Sequence, residues 1–413
     1  MISNNNLWKE LKMENLGQIV SGGTPKTDMP NFWDGNISWI TPTDVTALKG
    51  KKYISSTKRK ISDEGLKNSS ANMLPINTLI VCTRATIGDS VINKFPISTN
   101  QGFKSLITKP DVSSEYMYYW VSNNKKELIQ QSSGSTFLEL STKSFKNLSV
   151  LLPPLPEQQK IAEILSTVDD KIEVIDQQIT ETQELKKGLM QRLLTKGIGH
   201  TEFKDSTLGM IPESWEVVEL DEISSTTRLA GYEYSEYWEE SIDGEITALR
   251  GYNIGKNKLL LHNVIKISEE LSQKLIRSRL FKGNVVFPCV GTIGNAIVIE
   301  ENDKYHINQN IAKITPNDNL DPYFLMQYLI SPMCKNEIKR FNATTSQPNV
   351  LVGSLRKFRI PFPSSINEQI KISRILGSVD EKLEILLEKK NHYQELKQGL
   401  MQQLLTGKIR VKV

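Results

Sequence analysis

The chain has 413 residues, of which 38% are hydrophobic and 24% are charged, with 24 Gly and 17 Pro. This length and composition predict two or three folded domains and exclude a disordered, collagen-like or low-complexity chain. Three cysteines without zinc-ligand spacing favour a reducing cytosol over a disulfide framework, so we expect a cytoplasmic protein. We expect no signal peptide and no membrane partner, because the first twenty residues are polar and no apolar run reaches about 18 residues.

The charge is distributed unevenly along the chain, although the net charge is only +4. Residues 1–150 carry a net charge of +6, residues 201–245 carry −11, and residues 246–360 carry +8. A basic stretch in each half is the electrostatic pattern of a DNA-binding surface, although a solvated protein surface is the more common explanation. The acidic stretch would repel phosphate, so we expect it to face solvent or a protein partner.

Short strands and helices are predicted in both halves of the chain. In the first half, residues 78–83 predict a strand and residues 114–122 predict a helix. In the second half, residues 285–290 and 297–300 predict strands and residues 321–330 predict a helix. Proline pairs precede two longer helical segments. We therefore expect an α+β fold with bent β-sheets in two globular domains, at residues 1–155 and 201–363, and long helices at residues 156–200 and 364–413.

The two long helical segments are copies of each other. Residues 157–195 match residues 368–406 without gaps, and 21 of the 39 positions are identical. Apolar residues in both copies follow a heptad spacing, which predicts that the helices pair in an intramolecular coiled coil. The alternative is that each helix packs against its neighbouring globular domain, and the spacing alone leaves the direction of pairing open. The predicted seam residues are Ile161, Leu165, Val168, Ile172, Ile175, Ile179, Ile372, Leu376, Val379, Leu383 and Leu386.

The globular halves repeat more weakly, and motifs for catalysis are absent. Thr86-Ile87-Gly88 matches Thr292-Ile293-Gly294, and Asn100-Gln101 matches Asn308-Gln309. The sequence has no phosphate-binding loop, no dinucleotide fingerprint, no nucleophile elbow and no metal-binding histidine pattern. Residues 321–324 are similar to an amino-methyltransferase loop but lack its second proline, so a helix start is the better explanation. Two similar domains with different surfaces suit recognition of two unlike half-sites.

The repeated helices resemble a known family. Pro-Leu-Pro-Glu-Gln-Gln-Lys-Ile-Ala at 154–162 and Gly-Leu-Met-Gln-Arg-Leu-Leu at 188–194 are similar to the conserved helix of specificity subunits of type I restriction-modification systems. Gly-Gly-Thr-Pro at 22–25 and Ile-Pro-Glu-Ser-Trp at 211–215 are similar to the segments that open the family's domains, although the second half lacks a Gly-Gly-Thr-Pro. The resemblance covers essentially the whole chain and is most specific in the helices.

The resemblance implies a non-catalytic subunit. Each globular half would be a target recognition domain for one part of a bipartite DNA site, and the helices would form an antiparallel coiled coil that spaces them. Two methyltransferase subunits and the restriction/translocase subunits would be its partners. S-adenosylmethionine, Mg²⁺ and ATP would belong to those partners, with no cofactor or metal in this chain. A standalone DNA-binding or architectural protein, and a scaffold that only assembles partners, are the alternatives.

Polar side chains in predicted loops are the candidates for DNA contacts. Arg and Lys suit guanine and phosphate, and Asn and Gln suit adenine, although a turn or capping role is the alternative for each position. A residue that sets a different sequence should differ between the halves, which favours Arg250 and Tyr252 over the shared Asn-Gln positions. The candidates are Lys26, Thr27, Arg84, Gln101, Ser135, Thr136 and Lys143 in the first half, and Arg228, Tyr232, Arg250, Tyr252, Asn253, Gln309, Thr345, Gln347 and Arg356 in the second.

Overall fold

A computed structural model describes residues 8–134, 138–341 and 349–412. The chain forms two compact units: unit 1 comprises Met1–Asp176 and Lys389–Val413, and unit 2 comprises Gln177–Glu388. Each unit contains one globular part together with one half of each long helix. The predicted domain boundaries follow the ends of the helices, whereas the units divide both helices near their middles. This division arises because each half helix packs against the globular part of its own unit.

Unit 1 is built mainly from short strands. Its strands are β1 Lys9–Lys12, β2 Gly17–Ser21, β3 Trp33–Ile40, β4 Tyr53–Ile54, β5 Arg59–Ile61, β6 Leu79–Cys82, β7 Ser90–Asn93, β8 Ser98–Thr99, β9 Phe103–Thr108 and β10 Ser149–Leu152. Its helices are α1 Pro42–Ala47, α2 Asp63–Lys67, α3 Ser114–Asn123, α4 Lys125–Gln130, α5 Thr142–Asn147 and the first part of α6 Leu155–Lys196. The strands form a five-stranded sheet in the order β2-β9-β6-β7-β4, a three-stranded sheet β5-β3-β8 and the pair β1-β10.

Unit 2 repeats this arrangement. Its strands are β11 Phe203–Lys204, β12 Ile211–Pro212, β13 Trp215–Glu219, β14 Ser224–Thr227, β15 Ile246–Leu249, β16 Ile265–Ile267, β17 Val285–Pro288, β18 Ile297–Val298, β19 Tyr305–Ile307, β20 Ile311–Pro316 and β21 Arg359–Pro363. Its helices are α7 Leu220–Ile223, α8 Gly231–Tyr237, α9 Glu269–Lys274, α10 Pro322–Leu329, α11 Cys334–Phe341, α12 Val352–Leu355 and the first part of α13 Ile366–Leu404.

Most strands of unit 2 have a counterpart in unit 1; the exceptions are β4 in unit 1 and the pair β11-β12 in unit 2. The order β14-β20-β17-β18 matches β2-β9-β6-β7, the order β16-β15-β19 matches β5-β3-β8, and β13-β21 matches β1-β10. In each three-stranded sheet the central strand pairs in parallel with one edge strand, β3 with β8 and β15 with β19. The weak sequence repeat between the globular halves therefore reflects a shared topology. The short strands and helices predicted in the globular parts are confirmed within one or two residues, with Asp321 as the N-cap of α10. The long helices are shorter than predicted and end at Lys196 and Leu404.

The long helices pack both against each other and against the globular parts. In unit 1, Ile161 and Leu165 of α6 share a core with Met401 and Leu404 of α13 and with the residues of α3. In unit 2, Ile372 and Leu376 of α13 share a core with Met190, Leu193 and Leu194 of α6 and with the residues of α10. Both alternatives for burying the seam are thus realised at once. Among the other seam positions, Val168, Ile175, Ile179, Val379 and Leu386 are buried, and Ile172 and Leu383 are partly buried.

Ion pairs within each unit show that the two helices run antiparallel. In unit 1, Lys397 contacts Asp169 at 2.6 Å and Lys390 contacts Asp176 at 2.6 Å. Moving seven residues forward along α6 therefore means moving seven residues backward along α13. In unit 2, Lys186 of α6 contacts Asp380 of α13. Asp169 and Asp380 occupy matching positions of the repeat, as do Lys397 and Lys186. The same pair therefore occurs once in each unit, in the antiparallel direction that the resemblance implied.

Two glutamines at the start of the long helices hold each helix to its globular part. Gln158 Oε1 accepts from the Ser113 backbone N–H at 2.8 Å, and its amide donates to the Asp111 and Pro153 carbonyls. Gln369 repeats these contacts with the Asp321 N–H at 2.8 Å and the Asn319 and Pro363 carbonyls. Both glutamines are buried and all of these groups are paired. This pairing fixes the direction in which each helix leaves its domain.

Candidate nucleic-acid interface

In unit 1, the loop after β2 is held against the loop after β8. A Cβ on Gly22 would lie 1.9 Å from the Asn100 carbonyl oxygen, so only glycine permits this approach. The Thr24 hydroxyl donates to Gln101 Oε1. The indole N–H of Trp39 donates to the Gly23 carbonyl at 3.0 Å. These contacts explain the Gly-Gly-Thr-Pro segment and place the exposed Gln101 beside a rigid loop.

Lys26 and Thr27 are exposed on that same loop, and the Trp33 indole donates to the Lys26 carbonyl at 3.0 Å. Arg84 lies close to Gln101, because the neighbouring Thr83 N–H donates to the Gly102 carbonyl at 2.8 Å. We call the surface formed by Thr24, Lys26, Arg84 and Gln101 face 1. Three of its four residues are candidates from the sequence.

Arg84 is paired with an acid at the edge of a cavity of about 900 Å³. Its guanidinium lies 2.8 Å from Glu139, and both side chains are partly exposed. The buried Lys104 lies near this pair: burial lowers the pKa of Lys104, Glu139 opposes that shift and Arg84 adds to it. The cavity is also lined by Thr86, Lys125 and Leu138. Two cationic side chains, Arg84 and Lys125, therefore line an open recess beside face 1, and each is paired with an acid, Glu139 and Asp89 respectively.

In unit 2, three predicted residues line one cleft of about 410 Å³. Arg250, Tyr252 and Gln309 lie there together with Tyr234 and Thr292. We call the surface formed by these five residues cleft 2. The Thr292 hydroxyl donates to the Gly251 carbonyl at 2.6 Å, and the Tyr252 hydroxyl donates to the Asn263 carbonyl at 3.0 Å. Tyr252 is 41% exposed, and its ring lies beside the His262 ring with a centroid distance of 6.3 Å.

A tight turn positions Arg250 at the end of β15. The Arg250 N–H donates to Asn253 Oδ1 at 2.9 Å, and Arg250 Nη2 contacts Glu240 Oε1 at 2.9 Å. Asn253 is fully buried, and its amide donates to the carbonyls of Leu260 and His262. This corrects the prediction that Asn253 contacts DNA, because its polar atoms are already paired inside the protein and its function is to hold the turn.

The other candidates have different surroundings. Arg228 is exposed directly after β14, and its charge acts on the buried Cys289 thiol, whose pKa burial raises to about 12 despite that charge. Tyr232 is 65% exposed on α8. Arg356 donates to the Thr226 carbonyl at 2.7 Å and lies 3.6 Å from Asp221, so the structure gives it a role in holding β14. Lys143 is exposed on α5. Ser135, Thr136, Thr345 and Gln347 lie outside the described residues.

Sequence reasoning missed several residues of these surfaces. Thr24, Tyr234 and Thr292 were not candidates, yet they line face 1 or cleft 2. The turn after β3 is the counterpart of the Arg250 turn, because the Thr41 N–H donates to Asp44 Oδ2 at 2.8 Å. Thr43 is therefore the exposed counterpart of Tyr252. Aligning the strand ends of the two halves would have identified this position.

The acidic stretch 201–245 is partly used within unit 2. Glu233 contacts Arg277 at 3.1 Å and accepts from the Ala230 N–H, and Glu240 contacts Arg250. Glu222 accepts from the Glu219 N–H at the start of α7. Part of the negative charge therefore caps short helices and balances nearby arginines. Among the described residues, no group of three or more His, Cys, Asp or Glu side chains could hold a metal ion. No helix of this part of the chain is long and apolar enough to cross a membrane.

Comparisons with known proteins agree with the geometry. A family model described as "Type I restriction modification DNA specificity domain" matches residues 5–184 and 212–398. The chain belongs to this family. It is 27% identical over 412 residues to the type I restriction enzyme MjaVIII specificity subunit of Methanocaldococcus jannaschii, covering 98% of this chain and 93% of the relative. It is 31% identical over 333 residues to the putative MjaX specificity subunit of the same organism, covering 75% and 72%.

A solved structure has the same fold. The S subunit of a type I restriction-modification system from M. genitalium matches with a TM-score of 0.57 at 15% identity, covering 98% of this chain and 97% of the other. The prediction of a specificity subunit is confirmed, and with it the α+β fold with two target recognition domains and the assignment to the non-catalytic component.

Proposed function

We propose that this specificity subunit binds a bipartite, asymmetric DNA site, with face 1 reading one part and cleft 2 reading the other. The observation that carries the proposal is one scaffold bearing two different sets of polar side chains. Thr41 and Thr43 in unit 1 stand where Arg250 and Tyr252 stand in unit 2, on matching turns. Identical surfaces would read two identical half-sites, so unlike surfaces support an asymmetric site.

The side chains of both surfaces suit a duplex. Lys26 and Arg84 on face 1 and Arg228 and Arg250 near or in cleft 2 offer cationic donors for phosphates and guanine. Gln101 and Gln309 offer amides for adenine edges. The turn of Arg250 and the close approach at Gly22 fix the backbone beneath some of these groups, which reduces the conformational entropy lost on binding.

The proposal includes partners that supply the chemistry. Two methyltransferase subunits would dock on this chain and methylate adenine with S-adenosylmethionine, and restriction/translocase subunits using ATP and Mg²⁺ would join them. The chain would hold the duplex in register while the methyltransferase extracts its target base. The assembly would act in the cytoplasm, where the buried, unpaired thiols of Cys82, Cys289 and Cys334 suit reducing conditions.

Exchange of one globular part tests the proposal. Residues 201–363 would be replaced by the corresponding segment of a related specificity subunit, and methylated adenines in a host carrying the complete system would be sequenced. We expect one half of the methylated motif to change and the other half to stay. A motif that changes in both halves, or a genome whose methylation pattern survives deletion of the gene, would contradict the proposal.

A standalone DNA-binding or architectural protein is the alternative. It predicts tight, site-specific binding by the purified chain and no methyltransferase among the proteins that copurify with it. Copurification of the tagged chain with a methyltransferase, together with loss of adenine methylation on deletion, decides between the two.

A further inference from the structure

Each recognition surface carries an arginine paired with a glutamate, and the two pairs occupy different positions of the shared scaffold. In unit 1 the pair is Arg84 with Glu139 at 2.8 Å, and in unit 2 it is Arg250 with Glu240 at 2.9 Å. Both arginines line the cavity of their own unit.

Backbone contacts establish which positions correspond. In unit 1 the Leu140 N–H donates to the Thr83 carbonyl at 3.0 Å, and Arg84 pairs with Glu139 in an isolated β-bridge. In unit 2 the Val350 N–H donates to the Cys289 carbonyl at 2.9 Å, and the bridge joins Val290 to Asn349. The position of Arg84 is therefore occupied by Val290, and that of Glu139 by Asn349.

The reverse holds at the other position. The turn of Arg250 corresponds to the turn of Thr41, since both backbone N–H groups donate to the side chain three residues later. Unit 1 thus has a threonine where unit 2 has its arginine, and unit 2 has a valine where unit 1 has its arginine. A side chain that stabilises the shared fold would be expected at the same position in both units. Because each arginine occurs in one unit only, we assign these pairs to DNA recognition, the property in which the two surfaces differ.

The exposure of the pairs argues against a role in stability. The side chains of Arg250 and Glu240 are 37% and 49% exposed, and those of Arg84 and Glu139 are 45% and 34% exposed. Exposed ion pairs contribute little to the stability of a fold. Neither pair is therefore needed to hold its loop, because the Asn253 turn and the Glu139 backbone bridge already do so.

The chemistry of the pairs fits base recognition. In both pairs the carboxylate contacts the terminal nitrogen Nη2, and a guanidinium has five N–H donors in a planar fork. The remaining donors suffice for a bidentate contact with guanine O6 and N7. The carboxylate fixes the plane of the fork and repels phosphate, so the arginine is discouraged from binding the DNA backbone at any sequence.

We propose that Arg84 and Arg250 each read a guanine in a different half of the site, and that Glu139 and Glu240 are positioning residues that orient these arginines and suppress non-specific binding. This inference rests on the proposed DNA-specificity function. It predicts that the two guanines occupy different positions within their own half-sites, because the arginines occupy different positions of the shared scaffold.

A selection experiment tests the arginines. The full-length chain, in complex with the methyltransferase subunits that copurify with it, selects duplexes from a random library, which are then sequenced. Arg250→Lys should weaken the preference for one guanine by about 10-fold or more in one half of the motif only. Arg84→Lys should do the same in the other half. Lys304→Gln and Lys51→Gln, which remove exposed ion pairs with Glu301 and Glu173, are the matched controls and should leave the motif unchanged.

A salt titration tests the glutamates. Binding of a scrambled duplex would be measured for the wild-type complex and for Glu240→Gln. Freed from its acid, Arg250 should take up a phosphate contact, so that the slope of log K against log salt steepens by about 0.9. The preference for the selected motif over the scrambled duplex should fall. Glu139→Gln should behave in the same way.

The outcomes separate the two proposals. A wild-type complex that enriches no motif would overturn the proposed function and this inference with it. A wild-type complex with a two-part motif that neither arginine variant alters would overturn the inference alone. A Glu240→Gln variant with unchanged salt slope and unchanged preference would show that the carboxylate neither orients the arginine nor repels phosphate.

Discussion

Glu157 is the most informative residue to change, because a single carboxylate joins three parts of unit 1. Its Oε1 accepts from Arg410 Nε at 2.7 Å and from the Val411 N–H at 3.2 Å. Its Oε2 accepts from Arg410 Nη2 at 2.7 Å and from the Trp8 indole at 3.0 Å. The residue is only 4% exposed. The carboxylate thus joins the start of α6 to Trp8, directly before β1, and to the segment after α13.

Glu157→Gln removes the charge and keeps the shape. The amide oxygen still accepts one or two hydrogen bonds, whereas the bidentate contact with Arg410 is lost. Hydrogen bonds to charged groups contribute about 1.5–3 kcal/mol and neutral ones about 1 kcal/mol. Because Arg410 is itself about half exposed, we expect the free energy of unfolding of unit 1 to fall by about 2 kcal/mol. In a unit of about 200 residues this lowers Tm by about 4–8 °C.

The effect should depend on pH. Burial alone would raise the pKa of Glu157, but its hydrogen bonds to Arg410, Trp8 and Val411 outweigh burial and hold the pKa below its ordinary value. A carboxyl whose pKa is lowered by folding contributes stability above its unfolded pKa, and that contribution is lost as the pH falls through the folded pKa. The stability difference between wild type and Glu157→Gln should therefore be constant from about pH 7 to 5 and shrink below about pH 4.5.

Differential scanning calorimetry and urea denaturation measure this difference. Glu368→Gln is the matched control, since Glu368 accepts from the Trp215 indole, the Ile198 N–H and His200 in unit 2. None of these three partners is a guanidinium and no bidentate contact is lost, so Glu368→Gln should lower the free energy of unfolding by less than Glu157→Gln does. Equal losses for the two variants, or a Glu157→Gln effect that grows below pH 4.5, would refute the reasoning.

Further predictions concern the core, the turn and the thiols. Leu165→Ala should lower the free energy of unfolding, measured by urea denaturation, by about 2–5 kcal/mol, because the Leu165 side chain is fully buried. Val174 is 52% exposed, so Val174→Ala should change the same free energy by less than about 0.5 kcal/mol. Equal effects of the two substitutions would count against the helix packing. Asn253→Ala should lower the free energy of unfolding by about 1–3 kcal/mol, because it leaves the Leu260 and His262 carbonyls and the Arg250 N–H without their partner. It should also weaken binding to the selected motif. An unchanged melting curve would refute the role of this turn. The three cysteines should resist a thiol-specific reagent at pH 8 in the native protein and react fully in urea, since burial raises the pKa of Cys82 and Cys289 to about 12; fast native labelling would contradict their burial.

The sequence by itself determined that the chain has two globular halves and two long helices, and that the second half repeats the first. The repeat of residues 157–195 in 368–406 identified both long helices, because heptad spacing and proline starts are local signals that survive without knowledge of the fold. Strands such as β6 and β17 and helices such as α3 and α10 were predictable for the same reason. Arg250, Tyr252 and Gln309 were separate candidates for DNA contacts, because each follows a strand in a polar loop. The structure brings all three to one cleft, and their contact with DNA stays a prediction.

Only the tertiary structure decided what those residues do. Asn253 and Arg250 are both polar residues of one loop, yet Asn253 is fully buried and Arg250 lines a cleft. The distinction follows from the hydrogen bonds of Asn253 with the Arg250 N–H and the Leu260 and His262 carbonyls. The antiparallel direction of the helices also needed the structure, since heptad spacing is the same for either direction. The Arg84–Glu139 pair joins residues 55 positions apart through a β-bridge. The Arg250–Glu240 pair joins the end of β15 to the loop before that strand, so neither pair is marked by a local sequence pattern.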